Sequence, residues 1–188
     1  VMTNVTLLAV PLFVFMGDHT SSKLSCDPLR QVPLVFWNDK VIDTSVDTCD
    51  PGSGADDIAF DAVLASGTIT LSAALPDIAS TIAIDGDPTG TGAQDIEIDG
   101  DGTHRMYTVL SGATLTLSGL ELRAASGFGG VVLNNGSVHV ANSALTDNLE
   151  VAVFNTRSAT LSMSDVLLSG NSSGSSGGAI HNDGSLTG

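Results

Sequence analysis

The chain has 188 residues, 21 of them glycine, with aromatic residues at only 4% and 21 carboxylates set against 6 lysines and arginines. The resulting formal charge of −15 argues against nucleic acid as a partner, because that binding needs cations to displace phosphate counterions. Acidic polysaccharides and anionic membranes are disfavoured for the same reason.

In chain order, the first feature is an apolar run at residues 5–16, interrupted by Pro11. It is too short to span a bilayer comfortably, and no Lys or Arg precedes it as in a signal peptide. Its expected place is over the first coil of the repeat region, where it would cover apolar interior and a raw sheet edge. Residues 1–57 as a whole read as an irregular N-terminal lead-in or cap, with Pro28, Pro33 and Pro51 among many Asp and Ser. One strand is expected at 34–37, with Trp37 packing over the end of the fold. Cys26 and Cys49 fit either one disulfide or two separate thiols, and no Cys/His spacing suggests zinc.

From Met106 to Gly188 the sequence repeats itself. Segments starting at Gly112, Gly136, Ser158 and Gly184 fall into line at spacings of 24, 22 and 26 residues. A period of twenty-odd residues means stacked units in which each contacts only its neighbours. Within a unit, apolar residues alternate (Leu115 and Leu117, Val138 and Val140, Leu161 and Met163), which is the signature of a strand with one face inward. A second strand comes next at Leu120 and Leu122 and again at Val166 and Leu168. A third precedes each unit, at Tyr107 and Val109, Val131 and Leu133, Val151 and Val153, and Ala179 and Ile180. The units are rich in Gly, Ser, Thr and Val rather than in helix formers. The predicted fold is all-β: a right-handed parallel β-helix of five or six coils over residues 58–188.

Asparagines recur at the corners. Asn134, Asn155 and Asn182 precede each unit, and Asn148 and Asn171 form a second set at another corner. In that register they stack as structural ladders, each amide bonding the next coil.

The run ADDIAF, GTITLSAALPDI, TIAIDGDPTGTG, IEIDGDGTHRMYTV and SGATLTLSGLEL resembles the opening coils of bacterial surface proteins that carry the CSLREA domain, within the pectate-lyase-like β-helix superfamily. The resemblance covers residues 55–188. It implies a secreted or surface-displayed bacterial protein and is nearly silent on activity. In that family the lead-in carries a Cys-Ser-Leu-Arg-Glu-Ala motif. Here Cys26-Asp27-Pro28-Leu29-Arg30-Gln31 is a distorted version, and the segment that normally precedes it corresponds to residues 41–52, after it.

Four chemistries are weighed at the outward positions. Asp85, Asp87, Asp99 and Asp101 lie on Gly-interleaved DGD steps that resemble half of a calcium loop, while the plainer reading is that Asp-Gly pairs make the turns. No cofactor is otherwise implied. Glycoside hydrolysis needs two carboxylates across a groove, for which Glu121, Asp147 and Asp165 are candidates. A lyase needs a gathered base and cations, yet Arg105, Arg123 and Arg157 fall in different columns, as do His104, His139 and His181. Outward Thr68, Thr70, Thr114, Thr116 and Thr160 suggest a threonine row of the kind that binds ice or mineral. The expected function is structural and adhesive: weak extended contact with an extracellular glycan, matrix or protein surface, without nucleic acid and without membrane insertion by the β-helix. Edge-to-edge self-association and a carbohydrate-active enzyme are the alternatives for partner and function. An enzyme would gather its charges on one side of two or three adjacent coils.

Overall fold

The computed structural model describes residues 55–60, 62–174 and 177–188, together with the backbone of Phe15–Met16. The expectations for Trp37, Cys26, Cys49, the strand at 34–37 and the rest of the run at 5–16 lie outside these residues. The described end of that run, β1 (Phe15–Met16), pairs antiparallel with β2 (Asp56–Ala59).

The described residues after β2 form a parallel β-helix with three faces. Sheet A stacks β2, β4 (Thr81–Asp85), β7 (Thr114–Ser118), β10 (Ser137–Ala141), β13 (Thr160–Ser164) and β16 (Ser185–Thr187). Sheet B stacks β3 (Gly67–Thr70), β5 (Ile96–Asp99), β8 (Leu120–Arg123), β11 (Ala144–Thr146) and β14 (Leu167–Ser169). Sheet C stacks β6 (Tyr107–Val109), β9 (Val132–Asn134), β12 (Val153–Asn155) and β15 (Ile180–Asn182), with Ile78 bridged to Val109 in the coil before. The chain therefore runs A, B, C and back to A, and each strand bonds its equivalent one coil away. The solenoid begins at Asp56, just inside the segment expected from sequence to be lead-in.

Register follows the apolar alternation. Leu115 pairs with Val138 and Val138 with Leu161, while Leu117 pairs with Val140. All five are buried in one continuous core with Ile82, Ile84, Ile98, Leu122 and Leu145. At about 1.5–3 kcal/mol for each large aliphatic side chain buried, this column is what holds the coils together. In sheet A the step from Ser137 to Thr160 is 23 residues. The second coil is longer: Asp85 pairs with Ser118, 33 residues on.

Of the expected inward pair Val131 and Leu133, Val131 is buried in the core and Leu133 is not. Val132 and Asn134 pair with Val153 and Asn155 and face inward, whereas Leu133 pairs with Phe154 and faces outward. Three consecutive apolar residues, Val131, Val132 and Leu133, carry no alternation, and a slip of one residue exchanges the faces.

The corners are made by residues that tolerate the left-handed region. Between sheets A and B the turn shrinks to Gly119 (φ 62°), Asn142 (φ 47°) and Asp165 (φ 53°) in successive coils. Between sheets B and C the equivalent residues are Ala124 (φ 50°), Asp147 (φ 52°) and Gly170 (φ 66°).

Candidate functional site

Because strand residues alternate in and out, each sheet displays its own chemistry, and the three differ. The outward columns of sheet A are mostly hydroxyls, with the carboxylates Asp57 and Asp85 confined to its first two parallel strands, β2 and β4. One runs Thr81, Thr114, Ser137, Thr160, Ser185, and its neighbour runs Ala83, Thr116, His139, Ser162, Thr187. Thr160 donates to Ser137 at 2.9 Å. In β7, β10, β13 and β16 the outward positions hold no carboxylate, Lys or Arg. Thr68 and Thr70 do not belong to this face. They point out from sheet B, so the single threonine row expected from the sequence is split between two sheets, and Thr81 joins the row on sheet A instead.

Sheet B carries the charge. Its outward columns run Thr68, Glu97, Glu121, Ala144, Leu167 and Thr70, Asp99, Arg123, Thr146, Ser169. Arg123 lies 3.6 Å from Glu97 and 3.6 Å from Asp99, and Thr146 donates to Glu121 at 3.0 Å. Glu97 and Glu121 are cross-strand partners, and neighbouring strands stand about 4.8 Å apart. That approaches the roughly 5–5.5 Å of a retaining glycosidase pair. Both carboxylates are already engaged, one by the guanidinium and one by a hydroxyl. Of the candidates Glu121, Asp147 and Asp165, only Glu121 is part of this cluster. Asp165 sits at the corner entering sheet B and Asp147 at the corner leaving it.

A projecting corner borders the cluster. Residues 86–95 replace the one- or two-residue turn of later coils, and the loop is organised by its own side chains. The Asp87 carboxylate accepts from the Gly92 amide at 2.6 Å, the Thr91 amide at 3.1 Å and the Thr89 hydroxyl at 3.1 Å. The Gly92 amide hydrogen bond, more than any other contact, holds the Asp87 pKa below its ordinary value. The Thr89 oxygen also lies 2.5 Å from the Asp95 carboxylate, so its one hydroxyl proton is shared between Asp95 and Asp87. The loop then passes over Gly119 and reaches the fourth coil, where Gln94 donates to the Asn142 carbonyl at 3.1 Å.

Asp85 and Asp87 thus lie at the corner entering β5, and Asp99 and Asp101 at the corner leaving it. The calcium-like steps form two separate turns: Asp85 accepts from the Asp87 amide at 3.1 Å and Asp99 from the Asp101 amide at 2.7 Å. Among the described residues no three His, Cys, Asp or Glu side chains stand together as a metal would require.

Sheet C carries an aromatic stack on its outside. Its outward column is Thr108, Leu133, Phe154, His181. Phe154 and His181 stack at 4.4 Å with planes 5° apart, and Phe128, from the loop before β9, leans on Phe154 at 4.2 Å. His181 also meets Asp183 at 3.3 Å. Sequence reading missed this column because its members stand in separate units with no common residue type.

The asparagines stand in two columns, buried at Asn134, Asn148 and Asn155, half-buried at Asn171 and exposed at Asn182. Asn134 donates to Asn155 at 2.8 Å and Asn155 to Asn182 at 2.6 Å. Asn148 donates to Asn171 at 2.7 Å. Each amide also satisfies backbone: Asn134 bonds the Thr160 carbonyl, Asn148 accepts from the Ala125 amide, and Asn171 bonds the Leu145 carbonyl. The buried Asn134, Asn148 and Asn155 close corners and present nothing to a ligand.

No family model, curated protein or solved structure gives a significant match to this chain.

Proposed function

We propose that the chain is a structural and adhesive module of a secreted or surface-displayed bacterial β-helix protein, and that sheet A is its contact face. The observation that carries this reading is the segregation of charge. On a chain of net charge −15, the outward positions of β7, β10, β13 and β16 are small hydroxyls apart from His139 and Ala141. A flat, near-neutral hydroxyl surface repeating at strand spacing suits many weak hydrogen bonds to a neutral polysaccharide or matrix. Contacts in series multiply affinity without any one being strong. The resemblance of residues 55–188 to CSLREA-domain surface proteins supports the same reading.

The test is retention on an insoluble neutral glucan. Thr116→Glu with Ser162→Glu should abolish retention while leaving the far-ultraviolet spectrum unchanged, and Thr68→Glu on sheet B should not. Equal loss from both would remove sheet A from the reading.

A second reading is favoured by the gathering of Glu97, Asp99, Glu121 and Arg123 on one side of two adjacent coils. This is where a carbohydrate-active enzyme would place its charges. Cleavage of a polysaccharide that disappears in Glu121→Gln or Arg123→Met would replace the adhesive reading.

A further inference from the structure

The chain contains one Asn-Gly step, Asn135 followed by Gly136, at the corner that carries the first asparagine column. Asn-Gly is the dipeptide most prone to deamidation, since glycine puts no side chain in the way. The Gly136 backbone nitrogen attacks the Asn135 side-chain carbonyl carbon, and the bond to the side-chain nitrogen breaks. That nitrogen leaves as ammonia, taking up the proton lost from Gly136. Water then opens the cyclic imide to aspartate or to isoaspartate, whose backbone is one carbon longer. The reaction requires the Gly136 nitrogen to swing onto its own neighbour, a near-attack geometry that a held backbone forbids.

Here that nitrogen is held elsewhere. The Gly136 N–H donates to the Asn134 side-chain oxygen at 2.9 Å. Asn134 is fixed in turn by its bonds to Asn155 and to the Thr160 carbonyl, both 2.8 Å. The flanking peptides are pinned as well. The Asn135 amide donates to the Val109 carbonyl at 2.9 Å, the Ser137 amide to the Ala113 carbonyl at 3.0 Å, and the Gly136 carbonyl accepts from the Thr160 amide at 2.9 Å. There is no slack at Gly136 either: a Cβ placed there would run into the carbonyl oxygens of Ala113 and Leu110.

We infer that Asn135 is a latent deamidation site, held shut by Asn134 and opened only when the coil opens. The asparagine column then has a chemical role beside its structural one. It protects the reactive step while the solenoid is closed and exposes it when coils separate. A corner this tight has no room for the extra backbone carbon of isoaspartate. A coil that has opened and reacted in that way does not close in the same register, so damage is one-way.

The experiment is peptide mapping by mass spectrometry, with enzymatic isoaspartate detection, after prolonged incubation at mildly alkaline pH. The folded chain should convert Asn135 at least about tenfold more slowly than the urea-unfolded chain, since only the open fraction reacts. Asn134→Ala, checked for its β-sheet spectrum, should lose most of that protection. Asn134→Ser, which keeps an oxygen for the Gly136 amide, should regain part of it. Folded wild type reacting as fast as unfolded chain would overturn the inference, as would a folded Asn134→Ala that stays protected. Should Asn134→Ala not fold, the wild-type comparison and hydrogen exchange of the Gly136 amide decide. An amide that exchanges as freely as in the unfolded chain sinks the lock.

Discussion

Ala124 turns the corner between sheets B and C with φ at 50°, where its equivalents in the next two coils are Asp147 and Gly170. A left-handed alanine costs about 1–2 kcal/mol. Ala124→Gly should therefore stabilise the fold by up to about 1 kcal/mol once glycine's own entropy is counted, read as a higher urea midpoint at unchanged slope. Asn155 sits in the middle of its column, with partners above and below. Asn155→Ala should cost about 1–3 kcal/mol for each buried group left without a partner, measured in the same titration. Burial and hydrogen bonding set two further titrations. Tyr107 is the chain's one tyrosine and is fully buried, which pushes its phenol above the ordinary 10.0. Because the neutral form is the one favoured in the fold, stability falls as pH rises past the unfolded phenol's value. Phenolate absorbance should appear only together with loss of the sheet spectrum, and ionisation in a still-folded chain would contradict the placement. Asp87 runs the other way. Its pKa lies below 3.8, chiefly through the Gly92 amide, so its hold on the loop is complete above that value and is lost as pH falls through the lowered one. The Gly92 amide shift should titrate with a midpoint below 3.8.

At the scale of elements, the corner between β4 and β5 decides what borders the charged cluster. The projecting loop at 86–95 lies so close over Gly119 that an added Cβ would come within 2.8 Å of the Asp87 backbone nitrogen and Cβ. Gly119→Ala should displace the loop and break the bond from Gln94 to Asn142, with hydrogen exchange rising at 90–95 and little change in β10 and β13. The ion pairs of Arg123 are half exposed, and pairs of that kind contribute about 0–1 kcal/mol. Arg123→Met should accordingly leave the unfolding midpoint nearly unmoved, which makes it a clean variant for the activity test. Inside sheet B, Ser143 occupies a position held by Ile96, Leu120 and Val166 in other coils. It is tolerated because its hydroxyl accepts from the Leu120 amide and donates to the Ala141 carbonyl.

For the whole molecule, a solenoid's stability is a sum of coils and their interfaces. Protection from hydrogen exchange should be highest at β7 and β10, whose inward Leu115, Leu117, Val138 and Val140 are 0–2% exposed. It should be lowest at β14 and β16, where Leu167 and Leu186 are 58% and 45% exposed. Uniform protection across the coils would mean that the chain unfolds as one unit rather than peeling. The division of labour among the faces also belongs to this scale: hydroxyls on sheet A from β7 onward, charge on sheet B, an aromatic stack on sheet C.

The sequence by itself determined the coil. Strict alternation at Leu115 and Leu117, Val138 and Val140, and Leu161 and Met163, repeated at a near-constant period, leaves one side of each strand apolar. Only stacking buries all of those sides at once. Asparagine at recurrent corners was legible for the same reason, since a polar residue repeated at one turn asks for one common partner. Only the tertiary structure decided which outward side chains meet. Neighbours across a parallel sheet are separated by a whole coil, so one residue of slip or an inserted corner changes every pairing without disturbing the local pattern. Leu133 turned outward on such a slip. Thr68 and Thr70 parted from the other threonines because they lie on sheet B. Glu97, Asp99, Glu121 and Arg123, and Phe128, Phe154 and His181, became clusters only once the register was set.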